Sequence, residues 1–230
     1  VKIFGDGADL PGMIALAALP HIRGFTTNPT LMHKAGIRDY RAFAREVLAA
    51  IPDRPISFEV FSDEFDEMER QAREMASWGD NVYVKVPVTN TRRASAAPLV
   101  RRLSHDGIKV NVTALLTLDQ VREMTGALAG GAPAYISLFA GRVADTGRDP
   151  VPLMRCALDI MKAAPAAELI WASPRELLNI FQADEIGCHV ITVTHDVLRK
   201  LDLVGRDLGE YSLDTVRMFF EDGRRAGFEL

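Results

Sequence analysis

Lys85 lies in Asn81-Val82-Tyr83-Val84-Lys85-Val86-Pro87-Val88-Thr89, a run that reads as a buried strand carrying one charge. Stripping water from an ammonium is costly, so a lysine between valines needs a partner or a task. Two readings account for it. Lys85 forms a structural ion pair, or it is an amine held ready to attack a carbonyl carbon. In the second case the product is a cationic iminium, an electron sink that lets a neighbouring C–C bond break or form. Such chemistry needs proton carriers, and the carboxylates Asp6 and Glu59 could divide that work. Asn28 and Asn111 offer amide donors for hydroxyl groups, and Thr113 offers a hydroxyl that could hold a water. None of these steps requires a metal or a cofactor.

These residues share a placement. Strand side chains alternate between faces, so Val82, Val84 and Val86 point one way and Tyr83 and Lys85 the other. Ser57 and Glu59 likewise oppose Ile56, Phe58 and Val60, while Asn111 and Thr113 oppose the valines of their strand. Asp6 ends a first strand, and Thr26-Thr27-Asn28-Pro29 follows a second. A sixth delivers Ser137 and Phe139 on one face, then Gly141-Arg142. Each has a plain structural explanation: Asn28 starting a turn, Glu59 pairing with Lys85, Ser57 and Thr113 filling a taper. Polar residues gathered at the ends of several strands are better explained by a common site, because unsatisfied buried groups disfavour folding.

The elements that must position them form a repeating pattern. Strands are expected at residues 2–5, 22–25, 56–60, 82–86, 109–112, 134–138, 168–172 and 189–193. Helices are expected at 10–19, 38–50, 63–78, 92–104, 118–128, 150–163, 174–183 and 196–201, with a further one at 213–226. Eight βα units in 230 residues, with short connections, predict an α/β fold: a single (β/α)8 TIM barrel over residues 1–230 with an extra C-terminal helix. An open dinucleotide-binding sheet would need a third glycine that Gly5-Asp6-Gly7-Ala8-Asp9 lacks. Barrel enzymes place their sites at the carboxyl ends of strands, where these polar residues fall.

Composition narrows the class. Hydrophobic content of 48%, charged content of 25% and a net charge of −4 suit a soluble globular enzyme and give no basic surface for nucleic acid. The two cysteines, Cys156 and Cys188, have no metal-type spacing, and the five histidines are dispersed. No metal site is expected. Val1-Lys2-Ile3-Phe4 reads as a strand rather than a leader, and no stretch is long and apolar enough to span a bilayer. A cytoplasmic chain without membrane partners is expected. Arg142 and Arg175, with Ser173 and Pro174 at an expected helix start, either form an anion pocket or serve as a loop residue and a cap.

Five blocks, in order, resemble the transaldolase family and its small-subunit group, which includes fructose-6-phosphate aldolase. They are Gly24-Phe25-Thr26-Thr27-Asn28-Pro29-Thr30-Leu31, Tyr83-Val84-Lys85-Val86-Pro87-Val88-Thr89, Asn111-Val112-Thr113-Ala114-Leu115, Ile136-Ser137-Leu138-Phe139-Ala140-Gly141-Arg142 and Ala172-Ser173-Pro174-Arg175. The resemblance implies that Lys85 is a Schiff-base nucleophile and Asp6 the acid/base for C–C cleavage. Glu59 and Thr113 would hold the catalytic water. Asn28, Asn111 and Ser137 would bind the dihydroxyacetone end, Ser57 and Phe139 would also bind substrate, and Arg142, Ser173 and Arg175 would hold the phosphate of a sugar-phosphate substrate. It also implies a homo-oligomer, pentamer or decamer, with the C-terminal helix on a neighbouring subunit.

Glu59 and Phe139 resemble the transaldolase-type pair, where aldolase-type members tend to glutamine and tyrosine. Transfer of a dihydroxyacetone unit is therefore expected ahead of simple cleavage by a fructose-6-phosphate aldolase-type lyase. The chain departs from the family pattern at Gly7-Ala8-Asp9, Leu138, Pro174 and Thr192-Val193-Thr194-His195-Asp196. Those departures leave room for a non-standard acceptor.

Overall fold

The computed structural model describes residues 1–229. Eight parallel strands close into a barrel in the order β1 to β8: β1 (Lys2–Asp6), β2 (Ile22–Thr26), β3 (Ile56–Glu59), β4 (Val82–Pro87), β5 (Val110–Leu115), β6 (Ala134–Leu138), β7 (Ala167–Trp171) and β8 (Val190–Thr194). Between them lie α1 (Leu10–Ala17), α2 (Pro29–Lys34), α3 (Tyr40–Ala50), α4 (Phe65–Ala76), α5 (Ala97–His105), α6 (Leu118–Leu128), α7 (Ala140–Ala144), α8 (Pro150–Met161) and α9 (Leu178–Glu185). The chain continues through α10 (His195–Leu198), a 3-10 helix (Arg199–Leu203) and α11 (Leu208–Ala226). The expected (β/α)8 barrel with an added C-terminal helix is the fold that forms.

Pleat alternation builds the barrel wall as the sequence dictates. Val82, Val84 and Val86 of β4 are all buried, as are Val110 and Val112 of β5. Inside, an aromatic floor forms from Phe4, Tyr135 and Tyr83 with Ile170, Val190 and Ala172. The Phe4 and Tyr135 rings meet edge to face at 5.6 Å, and Tyr83 lies over Tyr135 at 4.4 Å. Gly24 on β2 makes this possible: a Cβ there would stand 2.7 Å from the Phe4 ring.

Registers then set the polar rows. Glu59 pairs with Lys85 across β3 and β4, and Lys85 with Asn111 across β4 and β5. Asp6 pairs with Thr26 across β1 and β2.

Several helix boundaries differ from the expected ones for local reasons. Before α5, Asn90 Oδ1 accepts from Arg92 N and Ala94 N and closes a turn with Arg93 at φ 64°, so the helix starts at Ala97 instead of residue 92. The sequence predicts Ser173 at a helix start, with Pro174 in the first turn. Instead Ser173 has φ 60°, and Asn179 Oδ1 accepts from Arg175 N and Glu176 N, which delays α9 to Leu178. The short helices α2 and α7 are additions that the sequence pattern does not predict.

The described chain forms two compact units, Val1–Leu198 and the segment from Arg199 onward. In the second, Asp207 Oδ1 accepts from Glu210 N at 3.0 Å, so α11 begins at Leu208 rather than residue 213. It ends at Gly227 with φ 67°. None of its described residues is buried, and Val216, Phe219 and Phe220 are well exposed. Among the described residues no helix is long and apolar enough to cross a membrane.

Candidate active site

Lys85 is 5% exposed, and its ammonium is met on two sides. Nζ donates to Thr27 O at 2.8 Å and lies 3.0 Å from Glu59 Oε2. The ion-pair reading of Lys85 is therefore correct as geometry. It does not displace the nucleophile reading, because both groups also face open space. A cavity of about 390 Å³ at the carboxyl ends of the strands is lined by Asp6, Glu59, Lys85, Thr113, Ser137 and Arg142, among others. Asn28, Phe139 and Ser173 line it as well.

Asp6 stands at the end of β1 and accepts from Thr26 Oγ1 at 2.8 Å. Thr26 in turn is hydrogen-bonded to Thr192 of β8. Burial pushes the Asp6 carboxyl above the usual carboxylate range, against the opposing pull of the Lys85 charge and the Thr26 hydroxyl. A carboxyl so placed exchanges protons closer to neutrality than a surface aspartate does.

Glu59 is oriented through its own backbone. Tyr40 Oη donates to Glu59 O at 2.9 Å and accepts from Glu59 N at 2.8 Å. Burial holds the Tyr40 phenol protonated well beyond its usual range. Thr113 is buried, and its Oγ1 finds no hydrogen-bond partner among the described residues.

Ser57 and Asn111 are buried but are not among the residues that line the cavity. They form a relay behind it: Asn111 Nδ2 donates to Ser57 Oγ at 3.0 Å, and Ser137 Oγ donates to Asn111 Oδ1 at 2.7 Å. Asn28 caps α2, accepting from Leu31 N at 2.9 Å, and lines the cavity from that position. At the opposite rim, Arg142 of α7 lies 5.7 Å from the centre of the Phe139 ring. Arg175 is not brought into the lining; its guanidinium pairs with Asp145.

Sequence reasoning missed Thr26, Thr192 and Tyr40 as site residues. Thr192 sits between Ile191 and Val193, the same alternation that singled out Asn111 between valines, so the signal was available. Tyr40 gave no signal, because its role depends on how α3 packs beside β3. Among the described residues no group of three or more His, Cys, Asp or Glu is arranged to hold a metal ion.

The molecule is thus a (β/α)8 barrel with a lysine–carboxylate cavity at the carboxyl face. A family-wide sequence profile described as Transaldolase/Fructose-6-phosphate aldolase matches residues 3–230. The chain belongs to that family. It is 35% identical over 202 residues to the "Probable transaldolase" of Dehalococcoides mccartyi, covering 87% of this chain and 90% of the relative. It is 35% identical over 231 residues to the "Probable transaldolase" of a Thermoanaerobacter species, covering 100% of both. Among solved structures, dihydrodipicolinate synthase from Rhodopseudomonas palustris superposes with a TM-score of 0.61 at 13% identity, over 93% of this chain and 78% of that one. That likeness shows the barrel alone.

Proposed function

We propose that the protein is a Schiff-base transaldolase. It would move a dihydroxyacetone unit from a ketose phosphate, sedoheptulose 7-phosphate or fructose 6-phosphate, to an aldose phosphate, glyceraldehyde 3-phosphate or erythrose 4-phosphate. The observation that carries this reading is Lys85: a buried amine 3.0 Å from Glu59 in a cavity that it shares with Asp6.

The chemistry follows from these positions. Glu59 accepts a proton from the Lys85 ammonium, and the free amine adds to the ketose carbonyl. Glu59 then returns the proton to the carbinolamine hydroxyl, through a water held by Thr113, and water leaves to give the iminium. Asp6 removes the proton from the hydroxyl on the carbon at the departing end of the breaking bond, which becomes the aldehyde carbon of the aldose. The electrons of that C–C bond flow into the iminium, the aldose departs, and an enamine remains on Lys85. Addition of the enamine to a second aldehyde, with Asp6 returning its proton, followed by hydrolysis, completes the transfer. Ser137, held by Asn111, and Asn28 suit the dihydroxyacetone hydroxyls, while Arg142 and Ser173 suit the phosphate.

Borohydride added during incubation with fructose 6-phosphate should trap a dihydroxyacetone-derived mass on Lys85. Folded protein that yields no adduct there would overturn the reading. Product analysis with and without an acceptor aldose separates transfer from net cleavage. The exposed Val216, Phe219 and Phe220 of α11 support self-association, which light scattering of the full chain would check.

A further inference from the structure

Two arginines stand near the rim that Ser173 occupies, and they are held very differently. Arg142 lines the cavity. Arg175 is committed elsewhere on every side. Its Nε donates to Asp145 Oδ1 at 2.8 Å, and its Nη2 pairs with Asp145 Oδ2. Its Nη1 donates to Ser173 O at 3.1 Å and to Ser173 Oγ at 2.9 Å. The Arg175–Asp145 contact is the two-pronged fork that guanidinium makes with carboxylate, the same geometry with which it would grip a phosphate.

Asp145 follows α7 directly, three residues after Arg142, and responds to both cations. The hydrogen bonds from Arg175 hold its carboxyl below the usual range, with the charges of Arg175 and Arg142 adding to the effect. One carboxylate thus offsets two arginines at this rim. Ser173, by accepting from Arg175, keeps its own hydroxyl proton for a ligand in the cavity that it lines.

We propose that Asp145 is a specificity-determining residue that competes with the substrate's phosphate for Arg175, leaving Arg142 and Ser173 as the default anion contacts. The inference rests on the sugar-phosphate reading above and deepens it. A rim that holds one arginine in reserve binds the phosphate less tightly than two free arginines would. The gap between phosphorylated and unphosphorylated sugars narrows accordingly.

The test is calorimetric binding of inorganic phosphate to the full chain. Asp145→Asn and Asp145→Ala should each tighten phosphate binding about 5-fold, the scale of a solvent-exposed ion pair. Arg175→Ala alone should change it less than twofold, yet should cancel the gain when combined with Asp145→Asn. Arg142→Ala should abolish binding while Asp145 is present. Weaker binding in Asp145→Asn would mean that Asp145 aims Arg175 at the anion, and would overturn the proposal. Unchanged binding, no phosphate binding by any form, or binding that survives Arg142→Ala with Asp145 in place would overturn it equally. Borohydride trapping of neutral dihydroxyacetone on the unsubstituted protein reports on Lys85 separately. A missing adduct there with tightened phosphate binding would sink the catalytic reading and leave the role of Asp145 standing.

Discussion

Lys85 Nζ and Glu59 Oε2 lie 3.0 Å apart across adjacent strands whose register pairs the two residues directly. In the proposed mechanism the contact serves folding and chemistry together. Burial of an ammonium needs a countercharge, and the countercharge that solves this problem is also the nearest base for its proton. Glu59→Gln keeps the shape but removes the base. Transfer from fructose 6-phosphate to an acceptor aldose is expected to fall by roughly 100-fold, the low end for losing a proton carrier. Product partition is expected to shift towards free dihydroxyacetone. Both are read by quantifying products with and without acceptor, and an unchanged partition would remove the ground for preferring transfer over cleavage.

Asp6 gives a pH dependence with a definite sign. Its folded value is raised above the ordinary 3.8 by burial, so the fold disfavours the ionised form. The stabilising contribution is complete below 3.8 and is lost as pH rises through the folded value. Asp6→Asn should therefore be more stable than the unsubstituted protein at pH 7, with the advantage fading in acid. Urea unfolding across a pH series measures this. The same substitution should abolish turnover, while the acid limb of kcat/KM for the unsubstituted protein should fall above 3.8. An acid limb at or below that value would separate Asp6 from the essential base.

The barrel was legible because strands β4, β5 and β8 announce themselves by β-branched runs and the strand–helix alternation repeats along the chain. Strand β6 and helix α6 have the bounds that their patterns predict. What stayed hidden depends on contacts between distant residues. Helix α7 has five residues, too few to show a period, and begins where the chain leaves β6. Asn179 closes the turn ahead of α9 through its side chain, which no run of apolar spacing reveals. At the site, Lys85, Glu59 and Asp6 stood out as charges in apolar strands, whereas the partner of Arg175 lies 30 residues away in sequence. Local pattern shows which side chains are unusual; closure of the barrel decides which of them meet.

Tyr40 couples helix α3 to strand β3. Its hydroxyl both donates to and accepts from the Glu59 backbone, and Tyr40→Phe would leave a carbonyl and an N–H unsatisfied. A loss of about 1–3 kcal/mol in urea unfolding is expected, the cost of stranding such groups. Activity should fall too, since the Glu59 side chain hangs from the loosened backbone. Because the phenol is held protonated well past its usual range, its ultraviolet tyrosinate signal should emerge only as the protein unfolds in alkali. Titration of all four tyrosines in the folded state would contradict that placement.

Gly141 sets how closely the loop after β7 approaches α7. A Cβ on Gly141 would stand 1.5 Å from Ser173 O and 2.7 Å from Ser173 C, atoms of backbone that cannot rotate away. Gly141→Ala must therefore push out the segment that carries Ser173, breaking the Gly141 N to Ala172 O contact at 3.4 Å. Overpacking of this kind costs about 1–3 kcal/mol or more, to be read from urea midpoints. The phosphate end should suffer most, so KM for fructose 6-phosphate should rise by a larger factor than kcat falls. Gly126 in α6 is the matched control, because a Cβ there meets nothing within 4 Å. Gly126→Ala should stabilise by up to about 1 kcal/mol through helix propensity. If both substitutions were tolerated alike, Ser173 could not be held in its left-handed conformation by contact with Gly141, and the shape of the anion rim would need another cause.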